Sequence, residues 1–332
     1  MTKPSSHSEL RIGLGQALRY SGETIGFFLI IAFFSLFAVD RASRIGGWIG
    51  RNIVARVSRS TRARNNLRIA FPDISEAETT RIVNAMWDNL GRVMAEYAHL
   101  DRLHSDGAEP RIEITGLENL RAAQAAGKGL LLISGHFANW EVMPFAARDY
   151  GFSGGVVVRP TNNPFVARWL DRKRSANGMP MQIAKGAQGT KRIFTLLRKN
   201  EAICMLVDQR ASEGIPAPFF DQDVMTTPVP AVLALKLDAV IVPATNRRVK
   251  DAHFHMHIYP PIVPQRSGDQ DADVLATTAA INAFIETRVR ECPEQWLWIH
   301  KRWTEGKVMM TRRAQLLSGG RDGATNATSS RV

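Results

Sequence analysis

The chain has 332 residues, 45% of them apolar, which is enough to bury a full core in one α/β domain with terminal extensions. Its two cysteines, Cys204 and Cys292, cannot build a disulfide framework, so the cysteine-stapled secreted class is excluded and a reducing, cytoplasmic setting follows. Net charge is +12, yet residues 41–68 alone carry eight arginines and no acid, so the excess is local.

Residues 1–20 read as a leader. The apolar run 25–39 (IGFFLIIAFFSLFAV) then marks a membrane-anchoring helix, assigned to 21–45. Its 15 residues fall short of the roughly 20 needed to cross a bilayer alone, so it spans with help from neighbours or lies partly embedded. A cleaved signal is disfavoured: Glu23 precedes the run closely, and Asp40, Arg41 and Arg44 follow it in place of a small-residue cleavage site. The arginine stripe comes directly after the apolar run, which points to anionic lipid headgroups of an inner membrane and not to nucleic acid. By the positive-inside tendency, everything beyond residue 40 stays on the cytoplasmic face.

Ser75 with Glu78 forms a capping-box pattern opening a helix whose apolar positions Ile82, Met86, Leu90 and Met94 recur every fourth residue. From residue 111 the chain alternates. Strands are predicted at 111–114, 129–134, 155–158, 202–207, 239–243 and 253–259, and helices at 117–126, 139–148, 164–177, 189–200, 228–237 and 271–290. This rhythm predicts an α/β fold, a mostly parallel central sheet with helices on both faces, whose ligands bind beyond the carboxyl ends of the strands. The catalytic domain is placed at 46–313. A tail, 314–332, has too few apolar residues to fill a core and is expected to be disordered.

The segment GKGLLLISGHFANWE (127–141) places His136 and Glu141 five positions apart. Spacing alone proves nothing: composition gives roughly 0.75 such matches for eight histidines, and His104 with Glu109 and His300 with Glu305 also fit. Only His136 follows a buried-strand signal and a glycine that lets the chain turn sharply. Asn139 or Ser134 could cap the next helix. A carboxylate one turn on can accept a proton from one imidazole nitrogen and make the other a better base, an acid/base pair for a hydroxyl. The plainer reading packs the histidine at a strand end and leaves Glu141 solvated.

Gly151, Ser153 and Gly155 spell GxSxG, but a helix precedes and a strand follows, the reverse of a nucleophile elbow. His253, His255 and His257 alternate on one strand face without an acidic fourth ligand at motif spacing, so an exposed amphipathic strand is expected there and no metal. Arg159 ends one strand and Asp208, Gln209 and Arg210 end another, where a site should collect; either arginine can fork onto phosphate, and Asp208 could instead pair with a nearby arginine. In PEQWLWIHKRW (293–303) the tryptophans suit a membrane-surface belt or a core equally well.

These segments, with NLRIAFPD (66–73), DNLGRVMAEY (88–97), VVRPTNNP (157–164), DQR (208–210), PFF leading to TTPVPAVLALK (218–236) and VIVP (240–243), make the chain resemble the late acyltransferases of lipid A biosynthesis, the lauroyl and myristoyl transferases of Gram-negative bacteria. The likeness covers nearly everything from the anchor to residue 305. One departure is Asp221 after PFF, where the family pattern often has glycine. The family's motif of histidine, four residues, then an acid maps onto His136 and Glu141, which the resemblance makes catalytic, with Asn139, Trp140, Arg159, Asp208, Gln209 and Arg210 as candidate substrate-binding residues. It implies transfer from acyl-acyl-carrier protein to a hydroxyl of a lipid A precursor of the Kdo2-lipid IVA type, forming an acyloxyacyl group with no cofactor. His136 would take the hydroxyl proton while Glu141 holds the imidazole. Two rival readings are an acyltransferase of the same fold acting on a glycerolipid or a glycosylated inositol lipid, and a non-catalytic lipid-binding protein.

Overall fold

The computed structural model describes residues 14–303 except 57–58, 107–108, 152, 160 and 177–180. Most of the expected leader and all of the expected tail therefore lie outside the described residues.

Helix α1 (Leu14–Ser35) is longer than the apolar run that announces it, because local pairs carry the helix back through polar residues. Arg19 meets Glu23 at 3.3 Å, and Gln16 reaches the Tyr20 hydroxyl at 2.9 Å. Its segment Gly15–Ser35 is long and apolar enough to cross a membrane by length and composition. The anchor expected as one helix to residue 45 breaks instead after Ser35, and α2 (Val39–Asn52) begins anew. Asp40 in its first turn decides that start: its carboxylate accepts from Arg111 at 2.8 Å and from the Ala252 amide at 3.2 Å, pinning α2 to the sheet edge.

Helix α3 (Arg59–Ala70) leads to α4 (Glu76–Glu96), capped as expected, with Ser75 Oγ accepting from the Glu78 amide at 3.1 Å. Helices α2 and α4 cross through glycine. A Cβ on Gly46 would lie 2.4 Å from the Gly91 carbonyl oxygen, and one on Gly50 2.1 Å from that of Trp87.

The alternating part runs β1 (Ile112–Thr115), α5 (Leu117–Ala125), β2 (Leu130–Ser134), α6 (Met143–Asp149), β3 (Gly154–Val158), α7 (Pro164–Ala176), β4 (Met181–Ala184), α8 (Ala187–Leu197), β5 (Ala202–Leu206), the hairpin β6 (Ile215–Phe219) and β7 (Gln222–Thr226), α9 (Val229–Leu237), β8 (Val240–Lys250), β9 (His253–Ile258) and α10 (Gln270–Glu291). Seven strands form one sheet in the order β1-β9-β8-β2-β5-β3-β4, parallel throughout except where β8 meets β9. Successive residues of β2 feed opposite layers. Leu131 and Ile133 join the core under α4, α8, α9 and α10, while Leu130 and Leu132 join the one under α5 and α6.

Trp296, Trp298 and Trp303 are buried against Phe219 and Phe220, so the tryptophan segment belongs to the core and not to a membrane belt. Ser153 links α6 to β3. His255 Nε2 and His257 Nδ1 share the Thr115 hydroxyl at 2.9 and 2.7 Å across the edge of the sheet.

Candidate active site

Register builds the site. Strands β2 and β5 are adjacent and parallel, with Ser134 paired to Leu206. Two residues past each strand end, His136 and Asp208 therefore emerge side by side. Asp208 Oδ1 lies 2.7 Å from His136 Nδ1, and Oδ2 accepts from the His136 amide and from Trp296 Nε1, each at 2.7 Å. Because an ionised carboxylate only accepts, Nδ1 carries a proton, and in the neutral tautomer this fixes, Nε2 keeps its lone pair. Burial alone would raise the Asp208 carboxyl, but the adjacent His136 ring and the bonds from its Nδ1 and amide outweigh it and hold the group well below the usual carboxylate range. Gly135 permits the approach, since a Cβ there would come within 3.1 Å of Asp208 Oδ2 and 2.8 Å of the Phe137 ring.

The imidazole's second nitrogen faces Gln209. The Gln209 Nε2 sits 3.1 Å from His136 Nε2 and 2.9 Å from His300 Nε2, so its amide protons point at both rings. Trp140 packs edge-on to His136 at 5.2 Å between centroids.

Glu141 does not hold the imidazole. Arg174 from α7 grips it with two bonds of 2.7 and 2.8 Å, and the Tyr97 hydroxyl donates a third at 2.7 Å. Burial works to raise the Glu141 carboxyl, and the Arg174 guanidinium, helped by Tyr97, brings it below its ordinary value. Burial and the Glu141 charge push the Tyr97 hydroxyl well up. The two candidate groups still face one space: His136, Trp140, Glu141, Arg159, Arg174 and Gln209 line a cavity of ≈ 280 Å³.

Asn139 and Asp208, expected at the substrate, are enclosed instead. Asn139 is fully buried, with its amide donating to Glu96 at 2.8 Å and its carbonyl accepting from the Glu141 amide at 3.1 Å. Glu96 is itself held by Ser43 at 2.7 Å and by the Arg248 guanidinium. This buried lattice fixes the loop after β2, where Ala138 takes a left-handed φ of 40°, a conformation an alanine keeps only when its surroundings impose it. Arg210 stands outside the His136 cavity, on a neighbouring one. Sequence reasoning missed Arg174, Tyr97, Lys185 and His300 as site residues. Tyr97 and His300 lie in segments that already stood out, whereas Arg174 carries no local signal among the charges of α7.

The burial of Cys204 pushes its thiol up to about 12, which removes it as a nucleophile. The arrangement is that of a base: an oriented imidazole whose second nitrogen meets a displaceable amide at a cavity, with cationic N–H groups nearby.

A family model described as bacterial lipid A biosynthesis acyltransferase matches residues 16–305. The chain is 28% identical over 270 residues to the lipid A biosynthesis lauroyltransferase of Escherichia coli, covering 78% of this chain and 84% of the relative. It is 27% identical over 251 residues to the lipid A biosynthesis palmitoleoyltransferase of the same organism, covering 74% and 78%. A phosphatidylinositol mannoside acyltransferase of Mycobacterium tuberculosis is 23% identical over 274 residues, covering 81% and 84%.

Proposed function

Because the chain belongs to the bacterial lipid A biosynthesis acyltransferase family and is an acyltransferase of lipid A biosynthesis, we propose that its donor is an acyl-acyl-carrier protein and its acceptor a hydroxyl on an acyl chain of a lipid A precursor of the Kdo2-lipid IVA type. The product is an acyloxyacyl ester. In this reading α1 anchors the protein in the inner membrane and the site faces the cytoplasm. The observation that carries the mechanism is the His136 imidazole, held at Nδ1 by the Asp208 carboxylate while its ring lines the cavity.

The acceptor hydroxyl displaces the Gln209 amide from Nε2 and gives its proton to that nitrogen as its oxygen attacks the thioester carbonyl carbon. The imidazolium so formed is stabilised by Asp208, which stays ionised. Collapse of the tetrahedral intermediate breaks the carbon–sulfur bond, and His136 returns the proton to the departing sulfur. Glu141 serves here by fixing the Arg174 guanidinium at the cavity wall, where its charge and the Gln209 amide offset the developing oxyanion. Neither a metal nor a covalent acyl-enzyme enters the sequence.

Mass spectrometry of lipid A from a deletion strain tests the proposal. Complementation with the wild-type gene is expected to restore one acyl chain, and complementation with His136→Ala, accumulated to the same level, is expected not to. Restoration by the variant would overturn the mechanism.

A further inference from the structure

A second cavity of ≈ 550 Å³ adjoins the one at His136 and shares Val157, Arg159, Lys185 and Gln209 with it. Its wall holds three cations, Arg159, Lys185 and Arg210, and no acidic residue. Strand register brings the first two together. Val158 pairs with Ala184 across β3 and β4, so the next residues, Arg159 and Lys185, leave the sheet as neighbours. Arg210 arrives from beyond β5, which flanks β3 on its other side. Burial lowers the Lys185 ammonium below its ordinary range, with Asp208 pulling it up and Arg159 pulling it down.

Several part-buried or buried arginines elsewhere hold carboxylates: Arg174 has Glu141, Arg248 has Glu96 and Arg111 has Asp40, whereas Arg159, Lys185 and Arg210 are exposed to the cleft. Among the described residues no carboxylate forms an ion pair with Arg159, Lys185 or Arg210, and the carboxylate oxygens of Asp208 are taken by His136 and Trp296. Three like charges converging on one cleft repel each other until an anion joins them.

Position separates this cleft from the membrane side. Helix α1 docks on α7 and the loop before it, where Asn163 donates to the Tyr20 carbonyl at 2.9 Å and Phe27 meets Trp169 at 5.2 Å. The second cavity instead lies against Gly189 and Ile193 of α8 and Val229 of α9, helices of the other layer. With α1 as the membrane anchor of the reading above, a lipid acceptor would approach along α1 and a water-soluble donor would have the α8 and α9 side left to it.

We propose that the cavity of Arg159, Lys185 and Arg210 is a subsite for a phosphate ester, the one carried by the phosphopantetheine arm of the thioester donor, whose thioester end then reaches His136 through the shared wall. Guanidinium forks suit phosphate oxygens, and Lys185 supplies a point charge beside them. The inference rests on the thioester-donor reading above. The test uses full-length enzyme and measures donor and acceptor KM for wild type, Lys185→Gln and Arg210→Gln, with acyl-carrier protein, acyl-phosphopantetheine and acyl-pantetheine as donors. Donor KM is expected to rise about tenfold per substitution, the scale of one charge-assisted hydrogen bond, for the two phosphorylated donors alone, with acceptor KM unmoved and melting temperatures preserved. Unchanged donor KM, or a rise confined to the acceptor, would overturn the subsite while wild-type turnover still upheld the transfer reaction. Absence of wild-type turnover with every donor would reject the underlying reading instead.

Discussion

At the scale of single residues the site divides into two buried carboxylates with different tasks. Asp208 serves His136, while Glu141 is committed to Arg174 and Tyr97. If Asp208 sets the tautomer and stabilises the imidazolium, Asp208→Asn lowers kcat by about 10²–10⁴, the usual contribution of positioned acid–base catalysis, with acceptor KM little changed. Steady-state transfer measured beside a melting curve checks this, and a near-wild-type kcat in a folded variant would remove Asp208 from the mechanism. The position of His136 was legible in the sequence, because a buried apolar strand followed by Ser-Gly-His announces a sharp turn carrying an imidazole at the strand end. Its partner was not. The acid five residues on is a local pattern, whereas Asp208 is 72 positions away and is brought in by the pairing of β2 with β5.

At the scale of elements, the catalytic loop depends on helices remote from it in sequence. Ser43 of α2 and Glu96 of α4 lie directly behind Asn139, so the crossing of those helices is part of the support of the site. That crossing is as close as glycine allows. Gly50→Ala is expected to destabilise the protein by about 1–3 kcal/mol through overpacking, because the added methyl meets the Trp87 backbone and not a movable side chain. Gly22→Ala in α1, whose Cβ would meet nothing within 4 Å, is the control and leaves stability unchanged or slightly higher. Denaturation in the same detergent compares the two, and equal midpoints would contradict the packing account. Elements with strong periodicity were readable: the capped helix from Ser75, the buried strands β2 and β5, and the long helix at the end. The short strand β4 and the hairpin of β6 and β7 were not, since four residues carry little pattern and Pro216 and Pro218 argue against a strand wherever a ladder bond is required.

At the scale of the whole molecule, Leu18, Ile25, Leu29, Ile30, Phe33 and Leu36 are exposed along α1 and its end, and Trp48 and Ile53 continue that apolar surface onto and just past α2. Arg41, Arg44 and Arg51 are exposed on the same stretch of chain. Apolar insertion resists salt and ion pairing to headgroups does not, so the protein is expected to remain with sedimented membranes in about 1 M salt, where screening acts within roughly 3 Å. Release by salt and not by detergent would show that the arginines alone hold it. The sequence by itself determined the layer architecture, the apolar N-terminal helix, the position of the imidazole and the family, because each is written in local periodicity, turn chemistry or contiguous motifs. Only the tertiary structure decided which carboxylate meets His136, that three tryptophans fill the core, and that Arg159, Lys185 and Arg210 share a cleft. Those are matters of which strands lie side by side, settled by how the two layers pack on the sheet and carried by no short stretch of chain.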